Sequence, residues 1–173
     1  MRQLYAYDFD KTIVSYDTFR RYLLHLFLLR PMSIGRILLL RKIRLISGSD
    51  LKERVTKIVE REEVLRQDAQ AYANQITHDM HWPVIVPKDA QVLIITASPK
   101  VYMQYVAEKL GCDLICSDYK AGIYVEMYGE EKYKSLLLSY PQSEYEYTYA
   151  ASDSESDICW MREFKQYKLL EVE

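Results

Sequence analysis

Leu4-Tyr5-Ala6-Tyr7-Asp8-Phe9-Asp10-Lys11-Thr12 joins a short apolar run to two carboxylates spaced two residues apart. Side chains at i and i+2 share one face of an extended segment, so Asp8 and Asp10 converge on one small volume where a strand over residues 3 to 8 ends. Beside a divalent cation such a pair can divide labour. One carboxylate stays ionised as a nucleophile, and its neighbour holds a proton for a leaving group. For so short a motif the plain alternative is an acidic turn after a strand, and the rest of the chain has to decide.

Three further segments read as strands: Gln91 to Thr96, Asp113 to Cys116 and Tyr145 to Ala150. A fifth runs from Tyr167 to Val172. The second is apolar without interruption, which suits a strand buried on both faces of a parallel sheet. Between it and the third, Pro99 to Leu110 has helical periodicity and stops at Gly111, a helix-end signal. Two more helices are expected, Glu130 to Leu138 before Pro141 and Ser154 to Phe164. Strands alternating with helices predict a doubly wound, mainly parallel α/β fold, with its site at the carboxyl ends of the strands.

Residues 14–88 break that rhythm. They read as helices over Thr18 to Leu29, Ile34 to Ile46, Leu51 to Val59 and Glu62 to Gln75, interrupted at Pro31 and Gly48. The expected organisation is therefore an α/β core of residues 1–13 and 89–173 with a helical insert over 14–88. An insert placed directly after a catalytic strand end is positioned to exclude water and choose the substrate.

Composition sets bounds on function. In 173 residues, 49% are hydrophobic and 28% charged, as in a folded globular chain rather than a disordered one. A net charge of -2 gives no reason to expect a nucleic-acid partner. Cys112, Cys116 and Cys159 form no CxxC pair, and no signal peptide is visible, so a reduced, cytoplasmic setting is expected. The sixteen tyrosines are expected to fill strands and half-buried faces. His78 and His81 read as part of the linker that leaves the insert.

Each later strand end adds a group that phosphoryl transfer needs. Ser98 in Thr96-Ala97-Ser98 can donate to a phosphoryl oxygen. Lys132, after Gly129-Glu130-Glu131, brings an ammonium to a loop-to-helix junction, where Lys134 would point elsewhere. Asp153 and Asp157, in Asp153-Ser154-Glu155-Ser156-Asp157, place two acids on one turn, and Mg2+ accepts one or two carboxylates plus phosphate and water.

This ordered set resembles the haloacid dehalogenase superfamily, and the resemblance extends from Tyr5 to the last residues. Asp8 to Thr12 is similar to its first motif, Thr96-Ala97-Ser98 to the second, Lys132 to the third and Asp153 to Asp157 to the fourth. The insert is similar to the C1 cap of the phosphoserine-phosphatase-like branch. The resemblance implies a Mg2+-dependent phosphatase in which Asp8 attacks phosphorus and Asp10 protonates the leaving oxygen and later activates water. It also implies that Thr12 and Ser98 hold phosphoryl oxygens and that Lys132 stabilises the growing charge. The metal would be held by Asp8, Asp153 and the backbone carbonyl of Asp10, with Asp157 behind them. Asp17 occupies the place of a glutamate that meets the substrate amine in phosphoserine phosphatases, and it equally suits the N-cap of the helix starting at Thr18.

Other readings stay open. A catalytically silent binding protein of the same fold is one, and transfer to an acceptor other than water is another. Residues 22–46 interleave leucines with basic side chains, too charged to span a bilayer but suited to lying on an anionic one. The cap also resembles those of family members that act on phosphatidylglycerophosphate, so a lipid phosphatase at the inner membrane face is the runner-up to a phosphatase of a small metabolite.

Overall fold

The computed structural model describes residues 1–83 and 86–171. Six strands form one sheet: β1 (Arg2–Tyr7), β2 (Gln91–Pro99), β3 (Asp113–Lys120), β4 (Ile123–Val125), β5 (Tyr145–Ser152) and β6 (Gln166–Leu169). Their order is β4-β3-β2-β1-β5-β6, parallel except for the β3–β4 hairpin. The chain builds outward from β1 to β2 and β3, then restarts on the other side with β5 and β6. That reversal beside β1 opens a crevice at the strands' carboxyl ends. The expected doubly wound α/β fold is present.

The pleat of β1 sorts its side chains between two cores. Tyr5 and Tyr7 join Ile94 and Ala151 on one face, against Val101, Tyr102, Met103 and Val106 of α5 (Lys100–Leu110). Leu4 and Ala6 face the other way with Leu93, Ile95 and Ala150. There they meet Leu136 of α6 (Glu130–Ser139) and Trp160 of the short α7 (Ile158–Met161).

The insert folds as α1 (Thr18–Leu29), α2 (Pro31–Lys42), α3 (Gly48–Arg61) and α4 (Glu63–Ile76). Its buried residues, among them Tyr22, Leu26, Ile34, Val55, Leu65 and Tyr72, belong to the same apolar cluster as Tyr5 and Tyr7. The insert is thus packed onto one face of the sheet by a shared core.

Several boundaries differ from the sequence reading, each for a local reason. Pro31 and Gly48 open helices rather than break them. Proline at the first helical position gives up a hydrogen bond that would be missing anyway. Ser47 caps α3 in a reciprocal box with Asp50, its Oγ accepting from the Asp50 amide at 3.0 Å while its own amide donates to Asp50 Oδ2 at 2.8 Å. β3 runs on to Lys120 and turns through Ala121 and Gly122, both at positive φ, into β4, which the sequence reading omitted. The helix expected from Ser154 to Phe164 is a 3-10 turn over Glu155–Asp157 followed by the four residues of α7. Its first residues are Ser, Glu and Asp, whose side chains compete with a helical backbone. The strand expected over Tyr167 to Val172 is β6, Gln166–Leu169, and Val172 lies outside the described residues.

Trp160 is fully buried between the sheet and α6, whereas Leu28 on α1 is 79% exposed. Trp160→Ala should therefore lower stability in urea by about 3–5 kcal/mol, against under about 0.5 kcal/mol for Leu28→Ala.

Candidate active site

Four separated segments meet at the carboxyl end of the sheet around a cavity of about 230 Å³. Its walls include Asp8, Asp10, Lys11, Asp17, Ser98, Lys132, Asp153 and Asp157. The amide of Asp8 donates to the Ala151 carbonyl at 2.9 Å, so the residue after β1 is still tied to β5. Phe9 points away into the core, and the amides of Thr12, Ile13 and Val14 all fold back on its carbonyl. Lys11 takes φ of 55° to make that turn, a left-handed geometry that costs a non-glycine residue on the order of 1 kcal/mol.

Lys132 is the electrostatic centre. Its Nζ lies 2.6 Å from Asp8 Oδ1 and 2.6 Å from Asp157 Oδ2, and only 3% of the residue is exposed. Ser152 Oγ donates to the same Asp157 oxygen at 2.7 Å, and accepts from the Ser154 amide at 3.1 Å. Gly129, at φ 51°, turns the chain so that Lys132 falls in the first turn of α6. Lys134 faces outward to Glu131.

Asp10 sits in a different environment. Oδ1 accepts from the amide and the hydroxyl of Thr18, both at 2.6 Å, and Oδ2 accepts from Ser98 Oγ at 2.6 Å. Thr18 is in turn held from behind. Its Oγ1 is 3.0 Å from the Tyr102 hydroxyl, and its carbonyl accepts from Tyr72 at 2.7 Å.

Burial sets the direction of most proton affinities here. It pushes the Asp8 carboxyl up to about 7, with Lys132 opposing and Asp157 and Asp10 adding to the rise. Burial also raises Asp10, against the hydrogen bonds of Ser98 and Thr18, and raises Asp153 against the pull of Lys11. Burial works against the Lys132 ammonium, yet the attraction of Asp8 and Asp157 outweighs it and holds the pKa above the ordinary lysine value.

The sequence-predicted residues mostly gather. Asp17 both lines the cavity and caps α1, its Oδ1 accepting from the Arg20 amide at 2.7 Å. Thr12 does not reach the lining. It is buried behind the turn with its hydroxyl unpartnered among the described residues, because the left-handed Lys11 takes the place facing the cavity. Sequence reasoning missed Thr18, Ser152 and Lys52. Lys52 comes from the first turns of α3 to the cavity wall, donating to the Ala97 carbonyl at 2.9 Å and pairing with Glu126 at 2.5 Å. Nothing in the insert's sequence distinguishes that lysine from its other basic residues.

A divalent cation fits the donor set by charge. Asp8, Asp10, Asp153 and Asp157 crowd the cavity, Lys52 is neutralised by Glu126, and Asp157 Oδ1 is buried without a donor among the described residues. No three His, Cys, Asp or Glu side chains among the described residues form a complete metal cage. Mg2+ does not need one, since it keeps waters and takes phosphate oxygens.

A parallel sheet that turns back beside β1 and collects acids and one buried ammonium at its carboxyl end defines a Rossmann-like α/β hydrolase. The chain belongs to the haloacid dehalogenase-like hydrolase family, whose family model matches residues 6–162. No curated protein sequence matches it. Among solved structures it is similar to a protein of unknown function from Bordetella pertussis Tohama I, with a TM-score of 0.60 at 13% identity, covering 98% of this chain and 100% of that one. It is also similar to phosphoserine phosphatase in its apo form, with a TM-score of 0.51 at 16% identity over 96% and 85% of the two chains. CbbY from Rhodobacter sphaeroides in complex with phosphate gives a TM-score of 0.53 at 13% identity over 99% and 88%. At such identities the likeness is one of fold.

A folded-state pKa raised above the unfolded value means that the native state holds a proton the unfolded chain has lost. Stability contributed by Asp8 therefore falls as pH rises from about 4 to about 7. In protein kept in a chelator, Asp8→Asn should be more stable than wild type to urea at about pH 8 and close to it near about pH 4.5. A less stable variant at the higher pH would show that pairing with Lys132 outweighs the burial of Asp8.

Proposed function

We propose that the protein is a Mg2+-dependent phosphatase that hydrolyses a phosphomonoester of a small metabolite through an aspartyl-phosphate on Asp8, with the helices of residues 14–88 as its cap. The observation that carries this reading is Lys132 Nζ, buried and 2.6 Å from both Asp8 Oδ1 and Asp157 Oδ2. With Oδ1 engaged, Asp8 Oδ2 is the oxygen assigned to the attack on phosphorus. As the new Asp8–phosphorus bond forms, the bond to the leaving oxygen breaks, and Asp10 gives that oxygen its proton. Asp10 then takes a proton from water as the water oxygen bonds to phosphorus, and Asp8 leaves as a carboxylate. Ser98 and Thr18 fix Asp10 for both proton transfers. Lys132 meets the negative charge that grows on the phosphoryl oxygens.

A Mg2+ ion held by Asp8, Asp153 and the Asp10 carbonyl, with Asp157 supporting, supplies Lewis-acid polarisation of the phosphoryl group when bound. The small polar cavity favours a compact substrate, and Asp17 and Lys52 are the charged groups on its insert side. Ser98 is assigned to phosphoryl binding and Asp17 to the rest of the substrate.

Turnover of p-nitrophenyl phosphate with Mg2+ tests the assignment. Asp8→Asn should abolish it with the fold intact, and retained activity would remove Asp8 from the nucleophile's role. Lys132→Ala should lower kcat by about 10²–10³, and a chelator should stop the reaction reversibly. Thr18→Val removes a donor that lowers the Asp10 pKa, so the alkaline limb of the pH–rate profile should move upward. An unmoved limb would mean that Asp10 is not the proton donor.

A further inference from the structure

The outer face of the α1–α2 hairpin serves neither the core nor the cavity. Buried Tyr22, Leu23 and Leu26 define the inner side of α1, and buried Ile34 and Ile37 that of α2. On α1 the opposite side presents Leu24 and Leu28, one turn apart. On α2 it presents Met32 and Leu39, seven residues apart on one helical stripe, and Ile43, the C-cap residue that follows the helix, continues it four residues on. Leu28 and Met32 are 79% and 75% exposed. The two helices are packed tightly, with the Phe27 ring only 3.3 Å from where a side chain on Gly35 would begin, so the hairpin is a firm surface.

The charge on this segment is one-sided. Residues 18–49 contain Arg20, Arg21, Arg30, Arg36, Arg41, Lys42 and Arg44, and no Asp or Glu. Arg21 and Arg30 find acids elsewhere, in Asp79 and Glu62. Arg36 and Lys42 on α2 and Arg44 just beyond it have no carboxylate within ion-pairing distance among the described residues, and neither has Arg20 on α1, whereas Arg41 follows buried Ile34 and Ile37 by seven and four residues and donates to the Ile46 carbonyl at 3.5 Å. The whole chain is nevertheless slightly acidic, so positive charge is concentrated on this face.

We propose that the outer face of α1 and α2 docks on an anionic lipid bilayer. Such a surface supplies both things this face lacks, an apolar layer for Leu28, Met32, Leu39 and Ile43 and a plane of anions for Arg36, Lys42 and Arg44. A second copy of the same face would bring like charges together. No helix among the described residues is long and apolar enough to cross a membrane, so the contact is interfacial. The chain leaves the basic end of α2 for α3, whose first turns carry Lys52 to the cavity wall, which joins the docking face to the mouth of the site. The docking is independent of the proposed chemistry.

Co-sedimentation of the full chain with vesicles tests it without using activity. Wild type should sediment with phosphatidylcholine–phosphatidylglycerol vesicles and stay in solution with phosphatidylcholine alone. The triple variant Arg36→Gln, Lys42→Gln, Arg44→Gln should bind the anionic vesicles about 100-fold more weakly, since each basic side chain near such a surface contributes about fivefold. Leu39→Asp should weaken binding that persists at high salt, and circular dichroism checks that each variant is folded. Wild type that remains in solution with anionic vesicles, or a triple variant that binds as tightly, overturns the proposal. So does a wild-type dimer in sedimentation velocity that Leu39→Asp dissociates.

Discussion

The site depends on one buried ammonium shared by two carboxylates. Asp8, Asp157 and Lys132 come from the end of β1, the turn after β5 and the start of α6, and none is appreciably solvated. Carboxylates so placed could not stay ionised alone, and removing one member of such a buried set leaves an uncompensated charge. The constraint reaches outward from there. Gly129 must turn at positive φ to deliver Lys132, Ser152 must hold Asp157, and the β1–β5 pairing must continue to the Asp8 amide. Local irregularities of this kind are what a polar site imposes on an otherwise regular sheet.

The insert takes part in that constraint through Thr18. This residue is the first of α1, yet it grips Asp10 with two hydrogen bonds and is itself gripped by Tyr102 from α5 and Tyr72 from α4. Two of the many tyrosines therefore do more than fill volume: they carry the packing of the insert to the Asp10 carboxylate. The shared apolar cluster adds to this, since Tyr22 and Tyr72 lie in one core with Tyr7 of β1. Movement of α1 as a free lid would have to break the Thr18–Asp10 contact. Lys52 is a different kind of link, a single long side chain from α3 to the Ala97 carbonyl and Glu126, which could part without disturbing the acids.

Much of this was legible in the chain itself, because the signals were local. The apolar β2 run, Gly111 at a left-handed helix end and the acids at strand ends each state their structure in a few residues. What could not be read were consequences of distant partners. Asp157 at the end of the Glu155–Asp157 turn meets Lys132 from α6, a pairing that no local pattern announces. The motif places Thr12 among the expected phosphoryl ligands, and in the structure its hydroxyl is buried beside the left-handed Lys11 without a partner among the described residues. Pro31 and Gly48 show a subtler limit, since residues that break helices also begin them: Pro31 starts α2 without a side-chain cap, whereas Gly48 follows the Ser47 cap of α3.

Asp8 and Asp10 are chemically identical side chains two positions apart, and their surroundings separate them. Asp8 faces an ammonium, which opposes the effect of burial on its carboxyl and engages one of its two oxygens. Asp10 is enclosed by Thr18, Ser98 and an amide, neutral donors that orient it without holding a full opposite charge beside it. An ammonium beside one carboxyl and neutral donors around the other give the two acids different surroundings, the difference on which the proposed division between nucleophile and proton donor rests. Burial raises both, and alone it would leave their order undecided. Lys132 acts on Asp8, whereas Ser98 and Thr18 act on Asp10. The same asymmetry explains why the insert is anchored at Asp10 rather than at Asp8. In the proposed reaction, a hydroxyl on the first turn of α1 positions the proton donor without competing for the face of the nucleophile that phosphorus approaches.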